Sequence, residues 1–183
     1  MTDTDFFPLP SMSRENTCCF TGHRAIPDGL HSRIVEQTEH AVRILVRAGY
    51  RFFLCGGALG FDMLAEQVIL RAASSSDSVH LVLALPCRDQ TERWLENGSL
   101  EPIREYQRIK SAASAVVYIS DFYHDGCMAE RNRYMVDHAS FCVAYYRGGV
   151  RSGTGQTFRM AQKAGLRIYN LHDVICGNDT DQK

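Results

Sequence analysis

The stretch Phe141-Cys142-Val143-Ala144-Tyr145-Tyr146, running into Arg147-Gly148-Gly149-Val150-Arg151-Ser152-Gly153-Thr154-Gly155, decides the fold. Six apolar residues in a row read as a strand buried on both faces, the mark of a parallel sheet covered by helices. The glycine-rich loop behind it opens a helix expected over Gly155–Ala164, with Gly165 as its stop. Upstream, Cys127–His138 fits a helix that carries Arg131-Asn132-Arg133-Tyr134-Met135. A loop that opens a helix presents orphan N–H groups to an anion, and the helix dipole favours negative charge at the same place. Guanidiniums nearby point to phosphate, which their planar forks match.

Outward from this segment, strand and helix patterns alternate along the chain. Thr17–Phe20, Phe52–Cys55, Val79–Leu85, Val116–Ile119 and Leu166–Leu171 read as further strands. Between the first two, Leu30, Ile34, Val35, Ala41, Val42 and Leu45 recur at helical spacing, and Gly49 ends the pattern. Phe61, Leu64, Ala65, Val68, Ile69 and Ala72 repeat the same signal after the second strand. Arg88–Ala113 reads as two helical pieces broken near Asn97-Gly98. The expected fold is α/β, a single doubly wound Rossmann-like domain on a mostly parallel sheet of about six strands. Its expected bounds are 16–172, between a flexible tail over 1–15 and a polar tail over 173–183.

Composition sets limits on function. The 183 residues, 45% hydrophobic and 22% charged, suit one soluble domain. A net charge of −1 supplies no global field for nucleic acid or an anionic membrane, so anion binding has to be local. Seven cysteines without a C-x-x-C form neither a zinc framework nor a disulfide scaffold. The first sixteen residues lack the pattern of a signal peptide, and no apolar run approaches the ~20 residues of a membrane helix. Cytoplasmic residence is expected, with neither metal nor cofactor.

In open α/β sheets ligands bind beyond the carboxyl ends of the strands, which selects the loops after them. Thr21-Gly22-His23-Arg24 offers a hydroxyl, a flexible backbone, an imidazole and a guanidinium. His23 reads as a general acid–base, a ligand contact, or part of a basic surface turn. Gly56, Gly57 and Gly60 permit a ligand, or simply the strand–helix packing, to approach the backbone closely. Asp62 either binds a sugar hydroxyl or complements the positive helix end. Glu66, one turn on, reads more readily as solvated or salt-bridged than as catalytic. Trp94 either packs or stacks on a base. Arg131 and Arg133 diverge by roughly 200° on a helix, so only one of them faces a ligand, and Arg131 shares its face with Met135. Asn132, Ser152, Gly153, Thr154 and Gly155, with Thr157, complete the phosphate-binding corner.

At these residues the chain resembles the SLOG superfamily, the Rossmann-like group that includes the Lonely Guy phosphoribohydrolases and the DNA-processing protein Smf/DprA. Within it the chain is similar to small stand-alone bacterial proteins related to YpsA. The resemblance runs through Phe20–Arg24, Gly56–Asp62, Pro86 with Trp94, Arg131–Asp137 and Ser152–Thr154, and covers about residues 16–172. It implies a pocket for nucleotides or their derivatives, and a homodimer. Lonely Guy enzymes cleave the N-glycosidic bond of nucleoside monophosphates with an Arg on an R-x-x-x-M helix and a Glu after a glycine loop. Arg131 and Met135 match the first element. Arg159 stands where the Glu belongs, and a cation there opposes the positive charge that builds on the sugar. The expected function is therefore binding, or sensing, of a phosphoribosyl or ADP-ribosyl ligand. The alternative is an N-glycosidic-bond hydrolase using His23, Asp62 or Glu66. Single-stranded DNA binding of the Smf type is the third reading, and the near-neutral charge argues against nucleic acid as a partner.

Overall fold

A computed structural model describes residues 8–92, 94, 100–149 and 151–177. Its strands are β1 (Thr17–Gly22), β2 (Phe52–Cys55), β3 (His80–Leu85), β4 (Ala115–Tyr118), β5 (Phe141–Tyr145) and β6 (Arg167–Asn170). The helices are α1 (His31–Arg47), α2 (Phe61–Ala73), α3 (Glu101–Ala112), α4 (Cys127–Asp137), α5 (Gly153–Lys163) and α6 (Leu171–Gly177). The strands form one sheet in the order β4-β3-β2-β1-β5-β6, and every pairing is parallel. The doubly wound Rossmann-like expectation therefore holds, with a sheet parallel throughout.

Continuous apolar strands arise because alternate residues serve two cores. Phe20, Phe53, Leu83 and Tyr145 point to the face covered by α1, α2, α3 and α6. Cys19, Leu54, Val82, Ala84 and Cys142 point to the other, under α4 and α5. From β1 the chain moves outward through β2, β3 and β4, then crosses back to add β5 on the far side of β1. The order thus reverses between β1 and β5, opening a crevice at their carboxyl ends.

Three boundaries differ from expectation. Helix α5 begins at Gly153, two residues early, because Ser152 Oγ caps it by accepting the Gly155 N–H at 3.1 Å. The expected N-terminal tail is packed at least from Met12, which is buried, and Arg14 Nε donates to Ala139 O at 2.9 Å. The expected C-terminal tail likewise begins as α6, whose Leu171 and Ile175, one turn apart, enter the core. The proposed break at Asn97-Gly98 lies outside the described residues, and α3 follows it. All seven cysteines are free.

Candidate functional site

A cavity of about 400 Å³ occupies the crevice where the strand order reverses. Its walls come from the end of β1, the β2–α2 loop, one face of α4 and the first turn of α5. Thr21, Gly22, His23, Arg24, Asp62, Arg131, Asn132, Ser152, Gly153 and Thr154 all line it. Phe20, Ala58, Met128 and Met135 add apolar surface. Met128 is absent from the residues expected at the site, yet 128, 131, 132 and 135 follow the i, i+3, i+4, i+7 spacing of a single helix face.

The α5 side joins the head of the helix to the end of β1. Ser152 Oγ engages the Gly155 N–H, and the hydroxyl of Thr154 donates to Gly22 O at 2.8 Å, tying α5 to the end of β1. The exposed Gly153 heads the helix, and a methyl on it would meet nothing within 4 Å. The guanidinium of Arg24 stands at the exposed rim. Gly155 is not part of the lining. It makes room for Tyr146, whose ring would lie 3.2 Å from a Cβ there.

On the opposite wall sit two buried charged side chains. Arg131 is 7% exposed and Asp62 is 6% exposed. Arg133, two residues along, faces solvent, as helical geometry requires. Arg131 donates from Nε to Asn132 Oδ1 at 2.8 Å and from Nη1 to Gly56 O. Burial pushes the Asp62 carboxyl up to about 6; Arg131, and the backbone N–H groups of Ala58 and Gly56 that bond the carboxylate, limit the rise. No ion pair within 4.0 Å closes Arg131 onto Asp62, so both groups remain available to the cavity.

The glycines of the β2–α2 loop admit protein, not ligand. A Cβ on Gly56 would overlap the Arg131 guanidinium, and one on Gly60 would overlap the Arg24 carbonyl. Gly60 also has φ +85, where side chains are strained. Gly57 has φ +64, and a Cβ there would run into the Leu85 side chain. The expected close approach is real, and its partner is the protein's own machinery.

His23 extends the β1–β5 ladder, its N–H donating to Tyr145 O at 3.2 Å. Its Nε2 accepts the Arg147 N–H at 3.2 Å, and the ring packs near Tyr145 and Tyr146. Burial, aided by Arg147 and His172, holds its imidazolium below the usual range. The ring is thus a neutral acceptor that positions the β5–α5 loop.

Two expected residues lie elsewhere. Trp94, 8% exposed, packs edge-on against Tyr106 with ring centroids 5.2 Å apart, on the α3 side of the sheet. Stacking on a ligand base is therefore replaced by core packing. Trp94→Ala is expected to cost about 3 kcal/mol in urea unfolding, as other large-to-small core changes do, while leaving ligand affinity unchanged. Glu66 is neither solvated nor salt-bridged. It is 1% exposed, lies behind the cavity, and accepts the Gly57 N–H on Oε1 at 2.9 Å. Burial and the neighbouring Asp62 push its carboxyl up to about 8.

Among the described residues, no group of three or more His, Cys, Asp and Glu side chains could hold a metal ion. No described helix is long and apolar enough to cross a membrane.

Similarities to known proteins agree with this geometry at the level of fold and family. The chain is 27% identical over 137 residues to the SPbeta prophage-derived protein YoqJ of Bacillus subtilis, spanning 67% of this chain and 77% of that one. It is 24% identical over 169 residues to a UPF0398 protein of Halalkalibacterium halodurans, covering 84% and 87% of the two chains. Among solved structures, the DNA processing protein A of Helicobacter pylori, described for its single-stranded DNA binding mode, superposes with a TM-score of 0.59. The identity is 14%, and 91% of this chain and 74% of that one are covered. The structural-genomics target TM1055 gives a TM-score of 0.54 at 18% identity, with 87% and 79% covered. The expectation that near-neutral charge makes nucleic acid an unlikely partner thus finds no support among these likenesses. The model of the YspA SLOG family matches residues 20–173, and the chain belongs to that family.

Proposed function

We propose that the chain binds a nucleotide-derived ligand of the phosphoribosyl or ADP-ribosyl type in the crevice between β1 and β5. The observation that carries this reading is a cavity with two unlike walls. On one side the first turn of α5 and the rim guanidinium of Arg24 suit a phosphate. On the other, the carboxylate of Asp62 suits ribose hydroxyls, and Arg131 suits a second anionic or carbonyl oxygen. The apolar side chains of Met128 and Met135 suit the flat face of a base. A volume of about 400 Å³ falls in the range of small-molecule sites.

A second reading, cleavage of the ligand's N-glycosidic bond, is favoured by one observation. Asp62 is a carboxyl pushed up to about 6 at a cavity wall, and such a group can serve as acid or base near neutral pH. Glu66 lies outside the cavity and does not share that role.

Differential scanning fluorimetry with AMP, ribose 5-phosphate, ADP-ribose and NAD, followed by chromatography for free base, separates the readings. Binding predicts stabilisation by at least one of the four without base release, since 100-fold saturation adds about 2.7 kcal/mol. Base release that disappears in Asp62→Asn selects the enzyme. No response to any of the four, with a salt-sensitive shift on oligo-dT, transfers the site to single-stranded DNA.

A further inference from the structure

Behind the cavity, two polar side chains clamp a single residue. Glu66 Oε1 accepts the N–H of Gly57 at 2.9 Å, while Gln90 Nε2 donates to the Gly57 carbonyl. Glu66 is 1% exposed and Gln90 is 6% exposed. Each has one oxygen left over, and those two oxygens, Glu66 Oε2 and Gln90 Oε1, are buried without a partner. Both are acceptors on side chains that grip the same residue, and each needs a donor hydrogen. An ionised carboxylate cannot supply it, whereas a protonated one carries an O–H donor. Leaving both oxygens bare would incur the full desolvation cost of each.

The clamp bears on the site through the chain itself. Gly57 follows Gly56, whose carbonyl accepts from Arg131 Nη1 and whose missing side chain leaves the space that guanidinium fills. We propose that Glu66 is a positioning residue that works as a neutral acid. Its Oε2–H donates to Gln90 Oε1, closing a ring around Gly57 that fixes the Gly56 carbonyl where it grips Arg131.

The surroundings favour the neutral form. Asp62 on the same helix and Glu105 on α3 both oppose a negative charge on Glu66, as does burial, while only Arg131 on α4 and the Gly57 N–H favour it. Tyr106 on α3 and Cys55 on β2 complete the neighbouring titratable groups, and neither supplies positive charge. The carboxyl therefore keeps its proton up to about pH 8. Above that pH a second buried anion forms beside Asp62, the ring opens, and Arg131 loses its fixed anchor.

The linkage has a definite sign. A carboxyl whose proton is held more tightly in the folded state makes the protein less stable as pH rises from its unfolded value toward its folded one. Glu66→Gln mimics the neutral acid, keeps an N–H donor for Gln90 Oε1 and an oxygen for the Gly57 N–H, and cannot ionise. In urea unfolding the variant should therefore gain on the wild type between pH 5.5 and pH 8, with the ratio of their unfolding constants changing at least tenfold. A variant that is less stable than wild type by the same factor at every pH would overturn the proposal.

Should the variant fold poorly, NMR on the unmodified chain decides the matter. The ¹³C resonance of the Glu66 carboxyl should titrate with a midpoint near 8, and the Nε–H resonance of Arg131 should move with the same midpoint. A Glu66 midpoint in the ordinary carboxylate range, or an Arg131 resonance that stays still while Glu66 titrates, contradicts the positioning role. No ligand is present in either experiment, so a failure of AMP to bind leaves this result intact.

Discussion

Gly56→Ala is expected to cost this protein both stability and ligand binding at its site. The new Cβ would occupy the space of the Arg131 guanidinium, which would have to leave both the Gly56 carbonyl and its place beside Asp62. Overpacking of this kind costs about 1–3 kcal/mol. Stranding a buried cation without its acceptor adds about 1.5–3 kcal/mol. Urea unfolding should therefore show a loss of about 3 kcal/mol or more, and AMP should no longer stabilise the variant. Gly153→Ala is the matched control, since a methyl there meets no protein atom within 4 Å. It should change stability by no more than about 0.5 kcal/mol, as surface substitutions do. A Gly56→Ala protein as stable as the wild type would show that the guanidinium does not need this seat.

Arg131→Ala should weaken the protein in a way that depends on pH. Arg131 is the main charge that restrains the upward push of burial on Asp62. Without it the Asp62 carboxyl rises further above about 6, and the folded state holds that proton to higher pH. The sign follows from linkage: a raised carboxyl loses stability as pH climbs from its unfolded to its folded value, and a larger rise loses more. The gap between wild type and variant should thus be small near pH 5 and widen through pH 7. By pH 8 it should have grown by about 1.4 kcal/mol for each tenfold tightening of the folded state's hold on the Asp62 proton. Unfolding curves at pH 5 and pH 8 test this, and a gap that does not change between them would remove the coupling between Arg131 and Asp62.

What the sequence discloses and what it conceals divide along physical lines. The inner strands are legible because a strand buried on both faces needs an unbroken apolar run, as in Phe52–Cys55 and Phe141–Tyr145, whereas the edge strands β4 and β6 are only half-buried and read more weakly. The end of the sheet that carries the cavity is legible too, since ligands gather beyond the carboxyl ends of the strands, but that the order reverses between β1 and β5 takes the fold to show. Glu66 is concealed. Its burial depends on Gln90 and the Gly57 loop, which are distant in sequence and close only once α2 packs on the sheet. The glycines of the β2–α2 loop reveal that something approaches the backbone closely. That the visitor is Arg131, 75 residues along the chain, takes the fold to show. Leu171 and Ile175 are the opposite case, a one-turn apolar spacing in an apparently polar tail that already marks α6.

In the proposed function the crevice beside α5 is where a nucleotide-derived ligand docks. Amide chemical-shift mapping of ¹⁵N-labelled protein titrated with AMP tests it most directly. Saturable shifts are expected at Gly153 and Thr154, at Thr21 through Arg24, and at the Arg131 side chain, with Trp94 and the α3 helix unmoved. Shifts confined to other surfaces, such as the groove between α1 and α2 lined by Arg43, Arg47 and Arg71, or no shifts at millimolar AMP, would contradict it.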